Sequence, residues 1–205
     1  MISYQTLFIF INCLYKVRFL QFMIKKEIYE LIDYIYKENE KAKEILLIHS
    51  KMVLNKALLI ANQKPELNIN IDLLIDGVML HDIGIIKTNS PKINCYGKHP
   101  YIMHGVLGKE IIEKTKFKHL ALFAERHTGT GLSKEDIINN NLPLPHYDML
   151  PISIEEQLLC FADLFYSKGK GELENEKSIS KIRKSFSKFG IHQVEQFDKW
   201  CKIFL

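Results

Sequence analysis

From Ile24 onward the apolar residues of this 205-residue chain return at steps of three and four, a period that suits one face of an α-helix and no strand. Ile24, Ile28, Leu31, Ile32 and Ile35 set a first helix. A second is predicted over about Lys41–Asn62, with Ile45, Ile48, Met52, Leu59 and Ile60 as core positions. After a loop at Pro65–Asn70, a third starts near Ile71 and carries Leu74, Val78 and Met79 inward. It runs into His81-Asp82 and ends at Gly84, a residue type that tolerates the left-handed turn after a helix. Residues 88–100 are turn-rich, and Pro100 suits the opening of a helix that runs to about Lys114. A short helix over 117–127 stops at Gly129 and Gly131. Ser133, with Glu135 and Asp136 behind it, reads as an N-cap, and Ser153 with Glu156 as a capping box. Pro143, Pro145 and Pro151 make 139–151 a loop, and two last helices fill 177–189 and 192–204 around Gly190. No alternating run of useful length is present. The fold class is all-α, a helical bundle.

The length suits one domain with a real core, and 47% hydrophobic and 25% charged residues match soluble globular chains. A net charge of +4 with dispersed lysines gives no indication of nucleic-acid binding. Cys13, Cys95, Cys160 and Cys201 form no Cys-x-x-Cys pair, so reduced thiols and a cytoplasmic location are expected. Residues 1–23 form an N-terminal extension of uncertain status. Their apolar stretch lacks signal-peptide features and ends at Lys16, too short for a stable membrane span. An extra core helix, a membrane-surface segment and a start at Met23 all remain open.

The chemistry lies in polar residues on apolar helices. His49 has Ile45, Met52 and Val53 as its helical neighbours and points inward. His81-Asp82 closes an apolar helix, and Asp163 stands within LLCFADLFY. A buried carboxylate costs several kcal/mol unless a cation faces it. Singly, these are a satisfied core histidine, a helix-end hydrogen-bonding group and a salt-bridge partner. Together, two imidazoles and two carboxylates are satisfied at once by a divalent metal.

The series His49…His81-Asp82…Asp163 resembles the HD superfamily of metal-dependent phosphohydrolases, and His81-Asp82-Ile83-Gly84 matches the form that names its HDIG subgroup. The likeness covers roughly residues 40–170. It implies an HD domain over 24–170 followed by accessory C-terminal helices over 171–205. It also implies that His49, His81, Asp82 and Asp163 bind one ion. By the same resemblance, His104 and His127 would hold a second ion, with Asp82 as the bridge. The ligand types suit Mn, Fe or Zn, with Mg or Ni as further candidates.

The activity implied is hydrolysis of a phosphomonoester or phosphodiester, of a nucleotide or related small metabolite, by attack of metal-bound hydroxide. Charge on the phosphoryl oxygens calls for cations. Lys87 is the first candidate, because HD proteins with an extended site often place a lysine just after the motif. Arg126, beside His127, is second, and Lys98 third. The segment from His127 to Leu132 lacks the Gly-Tyr-Pro element of the subgroup that opens cyclic dinucleotides, which argues against that substrate. Lys181, Arg183 and Lys184 are read as a solvated face rather than a border of the site. Two alternatives stay open: a non-catalytic metal- or nucleotide-binding regulatory module, and an HD-fold di-iron oxygenase.

Overall fold

The computed structural model describes residues 23–169, 171–187 and 191–205. The apolar N-terminal stretch with Cys13, and Gly190 between the last helices, lie outside the described residues. Helix α1 spans Lys26–Tyr36, α2 Glu40–Gln63, α3 Ile71–Leu80, α4 His104–Ile112 and α5 Ala121–Arg126. They are followed by α6 at Lys134–Asn139, α7 at Ile154–Asp163, α8 at Ile179–Phe186 and α9 at Ile191–Phe204. Short 3₁₀ turns join several of them. The predicted loop at 88–100 also carries a two-residue hairpin, in which β1 (Asn89–Ser90) pairs antiparallel with β2 (Cys95–Tyr96). The fold is all-α otherwise, and no helix among the described residues is long and apolar enough to cross a membrane.

Helix α3 is the centre. Every residue from Leu74 to Leu80 is buried, with α2, α5 and α7 packed around it. Its start is fixed by the Asn70 side chain, which accepts the Leu73 N–H at 3.1 Å and so satisfies one orphan donor of the first turn. Asp76 is buried midway along α3 and is paired with Lys25. Helix α7 begins at the expected capping box: the Glu156 N–H donates to Ser153 Oγ, and the Ser153 N–H to Glu156 Oε2. Ser133 forms the same device with Asp136 at α6.

Three expectations need correction. The buried stripe of α2 is Ala42, Leu46, His49, Ser50, Val53, Leu54, Ala57, Ile60 and Ala61, so the predicted face is rotated. Ile45, Ile48 and Met52 are only partly buried and Leu59 is 50% exposed. Apolar residues occur nearly all around this helix, so their period alone does not fix its phase. Second, α3 ends at Leu80, not at Gly84, and Ile83–Lys87 form a 3₁₀ turn. Gly84 is absent from the positive-φ glycines, so no left-handed turn requires it. It is there for close approach: a Cβ would stand 2.1 Å from the His104 carbonyl oxygen and 2.4 Å from the Gly108 nitrogen. Third, the helix expected from Pro100 begins with a 3₁₀ turn at Tyr101–Met103 and becomes α-helical only at His104.

The C-terminal pair shares the main core. Phe197, Trp200 and Phe204 of α9 are fully or almost fully buried, with Phe161 of α7 at ring distances of 5.9 Å from Phe197 and 5.2 Å from Phe204. The Trp200 indole N–H donates to Gln157 Oε1 at 3.0 Å, which gives the one polar atom of that buried ring its partner.

Candidate metal centre

His49 sits on the buried stripe of α2, between Leu46 and Val53. His81 and Asp82 follow the last residue of α3, so they emerge inside the core rather than at the surface. The close packing of α4 on the 83–87 turn, which Gly84 permits, sets His104 opposite Asp82. His127 follows α5, and Asp163 is the last residue of α7. All are buried except Asp163, whose side chain keeps 15% of its exposure.

The six side chains meet on Asp82. Its Oδ2 lies 3.3 Å from His49 Nε2 and 3.0 Å from His81 Nε2. Its Oδ1 lies 3.5 Å from His104 Nε2 and 3.4 Å from His127 Nε2. Asp163 Oδ1 is 2.8 Å from His49 Nε2 and 3.7 Å from His81 Nε2. The residues form two sets, His49–His81–Asp82–Asp163 and Asp82–His104–His127, with the donor atoms of each set within 4.8 Å of one another. Metal–ligand bonds of about 2.0–2.2 Å put neighbouring donor atoms about 3.0–3.5 Å apart, and all four distances from Asp82 fall in that range.

The protonation pattern favours a cation. Nδ1 of His81, His104 and His127 each lies 2.6–2.7 Å from the carbonyl oxygen three residues earlier, at Val78, Tyr101 and Ala124. A carbonyl only accepts, so each Nδ1 carries the hydrogen and each Nε2 of a neutral ring presents its lone pair to the site. His104 Nε2 and His127 Nε2 are then 2.9 Å apart with two lone pairs facing each other, an arrangement that needs a positive species beside it. His81 Nε2 and Asp82 Oδ1 are buried without a hydrogen-bond partner among the described residues. Orphaned polar atoms of this kind are expensive unless a ligand is intended for them. The donor set therefore fits a divalent metal.

The titration behaviour agrees. Burial lowers the His104 pKa to about 3, with His127 adding to the effect, so this ring stays neutral and ready to ligate. Burial opposes charge on His81 as well, but Asp82 and Asp163 outweigh it and push the pKa up to about 9. A proton on His81 and a metal ion beside it are two answers to the same pair of carboxylates. Burial would raise the pKa of Asp82 and of Asp163, yet Lys168 and the histidines hold both well below the usual carboxylate range.

The cations expected from sequence are elsewhere. Lys87 Nζ faces Glu110 at 3.8 Å and is 40% exposed. Arg126 Nη1 is held between both Glu156 oxygens at 3.2 and 3.3 Å, where it braces the start of α7. Lys98 is exposed on the hairpin loop. The ammonium at the site belongs to Lys168, just past α7, whose Nζ is 2.5 Å from Asp82 Oδ2. No periodicity marks Lys168, which lies in an irregular stretch; its only cue is a position five residues after Asp163, in a segment the end of α7 directs back over the cluster. Tyr101 carries no sequence cue either: its ring stacks on His104 with centroids 4.7 Å apart. Of the other histidines, His99, His119, His146 and His192 are exposed.

Comparison with known proteins bears on this cluster. The family model described as HD domain matches residues 46–167, a span that contains every residue of the two ligand sets. An uncharacterized protein of Methanocaldococcus jannaschii is 36% identical over 151 residues, which cover 73% of this chain and 80% of that protein. The tRNA (cytidine(56)-2'-O)-methyltransferase of Picrophilus torridus is 32% identical over 127 residues, covering 62% of this chain and 33% of that enzyme. The enzyme of the same name from Thermoplasma volcanium is 26% identical over 170 residues, covering 82% of this chain and 45% of that enzyme. The chain thus spans less than half the length of either methyltransferase. No solved structure matches it.

Proposed function

The chain belongs to the HD domain family, and from that premise we propose that it is a metal-dependent phosphohydrolase of a phosphomonoester or phosphodiester, in a nucleotide or related small metabolite. The observation that carries the proposal is the convergence of four imidazole Nε2 atoms and the Asp163 carboxylate on the fully buried Asp82. His49, His81, Asp82 and Asp163 would hold one ion. Asp82, His104 and His127 would hold a second, with Asp82 common to both sets.

Ions bound there supply a hydroxide nucleophile at neutral pH and Lewis-acid stabilisation of the phosphoryl oxygens; the ligand types suit Mn, Fe or Zn. The protein's part is preorganisation. The Nδ1 hydrogen bonds to Val78, Tyr101 and Ala124 fix ring orientation and tautomer before substrate arrives. Burial of the cluster keeps the effective dielectric low, which strengthens each charge interaction with the reacting phosphate. In the reaction a water oxygen bonds to phosphorus and the ester P–O bond breaks. The departing alcohol takes up one proton of that water.

The methylation named for two relatives belongs to proteins that this chain covers only in part, and it forms no part of this reading. The test is turnover of an aryl phosphate and a nucleotide panel by metal-reconstituted protein. Turnover should require added metal and vanish in Asp82→Ala; equal turnover by metal-loaded Asp82→Ala would refute the reading.

A further inference from the structure

Lys168 has no part in the ligand sets, yet its side chain is only 10% exposed and its Nζ sits 2.5 Å from Asp82 Oδ2. Tyr101 stacks its ring on His104 with centroids 4.7 Å apart. Lys168 and Tyr101 thus face the cluster from outside both ligand sets.

A buried ammonium is stable only while a negative group answers it. Here that group is Asp82, the one carboxylate common to both ligand sets. Once Asp82 is given to a divalent ion, its charge no longer serves Lys168. Counting Asp82, Asp163 and Lys168 with neutral imidazoles, the cluster carries one negative charge by itself. It becomes net positive by one with a single divalent ion, and by three with two. A loaded cluster therefore leaves Lys168 in need of an anion, and Lys87 and Arg126 are already engaged by Glu110 and Glu156.

We propose that Lys168 is the subsite for a phosphoryl oxyanion, an assignment that rests on the phosphohydrolase reading above. The charge count also favours one substrate class. With one hydroxide nucleophile, a phosphomonoester dianion brings the two-ion cluster to neutrality, whereas a phosphodiester monoanion leaves a positive charge over. Lys168 thus biases the site toward monoesters.

The test titrates the full chain with Mn²⁺, and the Mn²⁺-loaded chain with inorganic phosphate, by calorimetry. In Lys168→Met, phosphate affinity should fall about 10–100-fold, the worth of one charge-assisted hydrogen bond. Mn²⁺ should bind that variant at least as tightly as wild type, because a cation competing for Asp82 has gone. Lys168→Arg should retain phosphate binding. Wild-type phosphate affinity in Lys168→Met, or loss of Mn²⁺ binding there, would overturn the subsite. If Lys168→Met does not fold, Lys168→Arg decides: retained phosphate binding supports the subsite and lost binding refutes it. A wild-type protein that binds Mn²⁺ and phosphate but turns over no phosphoester would sink the hydrolase reading and leave the subsite standing.

Discussion

Replacing Gly84 by Ala should cost both stability and half of the metal centre. The added Cβ would stand 2.1 Å from the His104 carbonyl oxygen and 2.4 Å from the Gly108 nitrogen, well inside the 3.4 Å at which ordinary contact begins. Both obstacles are backbone, so no side chain can swing away, and α4 must retreat from the 83–87 turn. Overpacking of this kind costs about 3 kcal/mol, the upper end of its usual range. In a chain of this size that lowers the melting midpoint by about 6–12 °C. Retreat of α4 carries His104 with it. Metal sites tolerate about 0.2 Å of ligand displacement, so a shift of about an ångström removes His104 from the set it forms with Asp82 and His127. The set of His49, His81, Asp82 and Asp163 draws nothing from α4 and should survive. Differential scanning calorimetry and metal analysis of the same sample check both parts: a depressed midpoint, and one ion per chain where wild type should hold two. A Gly84→Ala protein with the wild-type midpoint and both ions would refute this reading of Gly84.

Metal affinity should rise with pH and level off above about pH 9. Asp82 and Asp163 raise the His81 pKa to about 9, so below that pH an ion must displace a proton from the ring. Calorimetry in buffers of different ionisation enthalpy measures the released proton, and a pH-independent affinity between pH 6 and pH 9 would contradict it. Trp200→Ala should destabilise the fold by about 3–5 kcal/mol while leaving metal content unchanged, read by denaturant melts and metal analysis. Ser153→Ala removes the hydroxyl that accepts the Glu156 N–H and should cost about 1 kcal/mol in the same melts. Lys87→Ala should change turnover less than about twofold, since its partner is the exposed Glu110 and a surface pair is worth little.

The helices and their caps are legible in the sequence because they are local. A serine followed three residues later by an acidic residue sets Ser133 and Ser153, and the period of three and four sets the helix spans. The phase of α2 is not legible, because Ile45, Leu46, Leu47 and Ile48 offer apolar atoms on every side and tertiary packing chooses among them. The candidate ligands His49, His81, Asp82 and Asp163 stand out because a charged or imidazole group on an apolar helix is conspicuous, whereas His104 and His127 are picked out only by the family resemblance. Lys168 does not stand out, since a lysine in an irregular segment looks like every other surface lysine. Its role comes from the fold bringing residue 168 back over residue 82. Gly84 is conspicuous in the sequence, but its reason is not, because a sequence shows that a side chain is missing and not which neighbour requires it. Arg126 and Lys87 are drawn toward the site by chain proximity to His127 and Asp82, whereas their side chains are directed away by Glu156 and Glu110.

The proposed chemistry requires above all that this cluster hold divalent ions on Asp82. Crystals of metal-loaded protein, measured at the absorption edge of the metal, should give one anomalous peak bounded by His49, His81, Asp82 and Asp163. A second should be bounded by Asp82, His104 and His127. Anomalous peaks elsewhere, with none within bonding distance of Asp82, would contradict it.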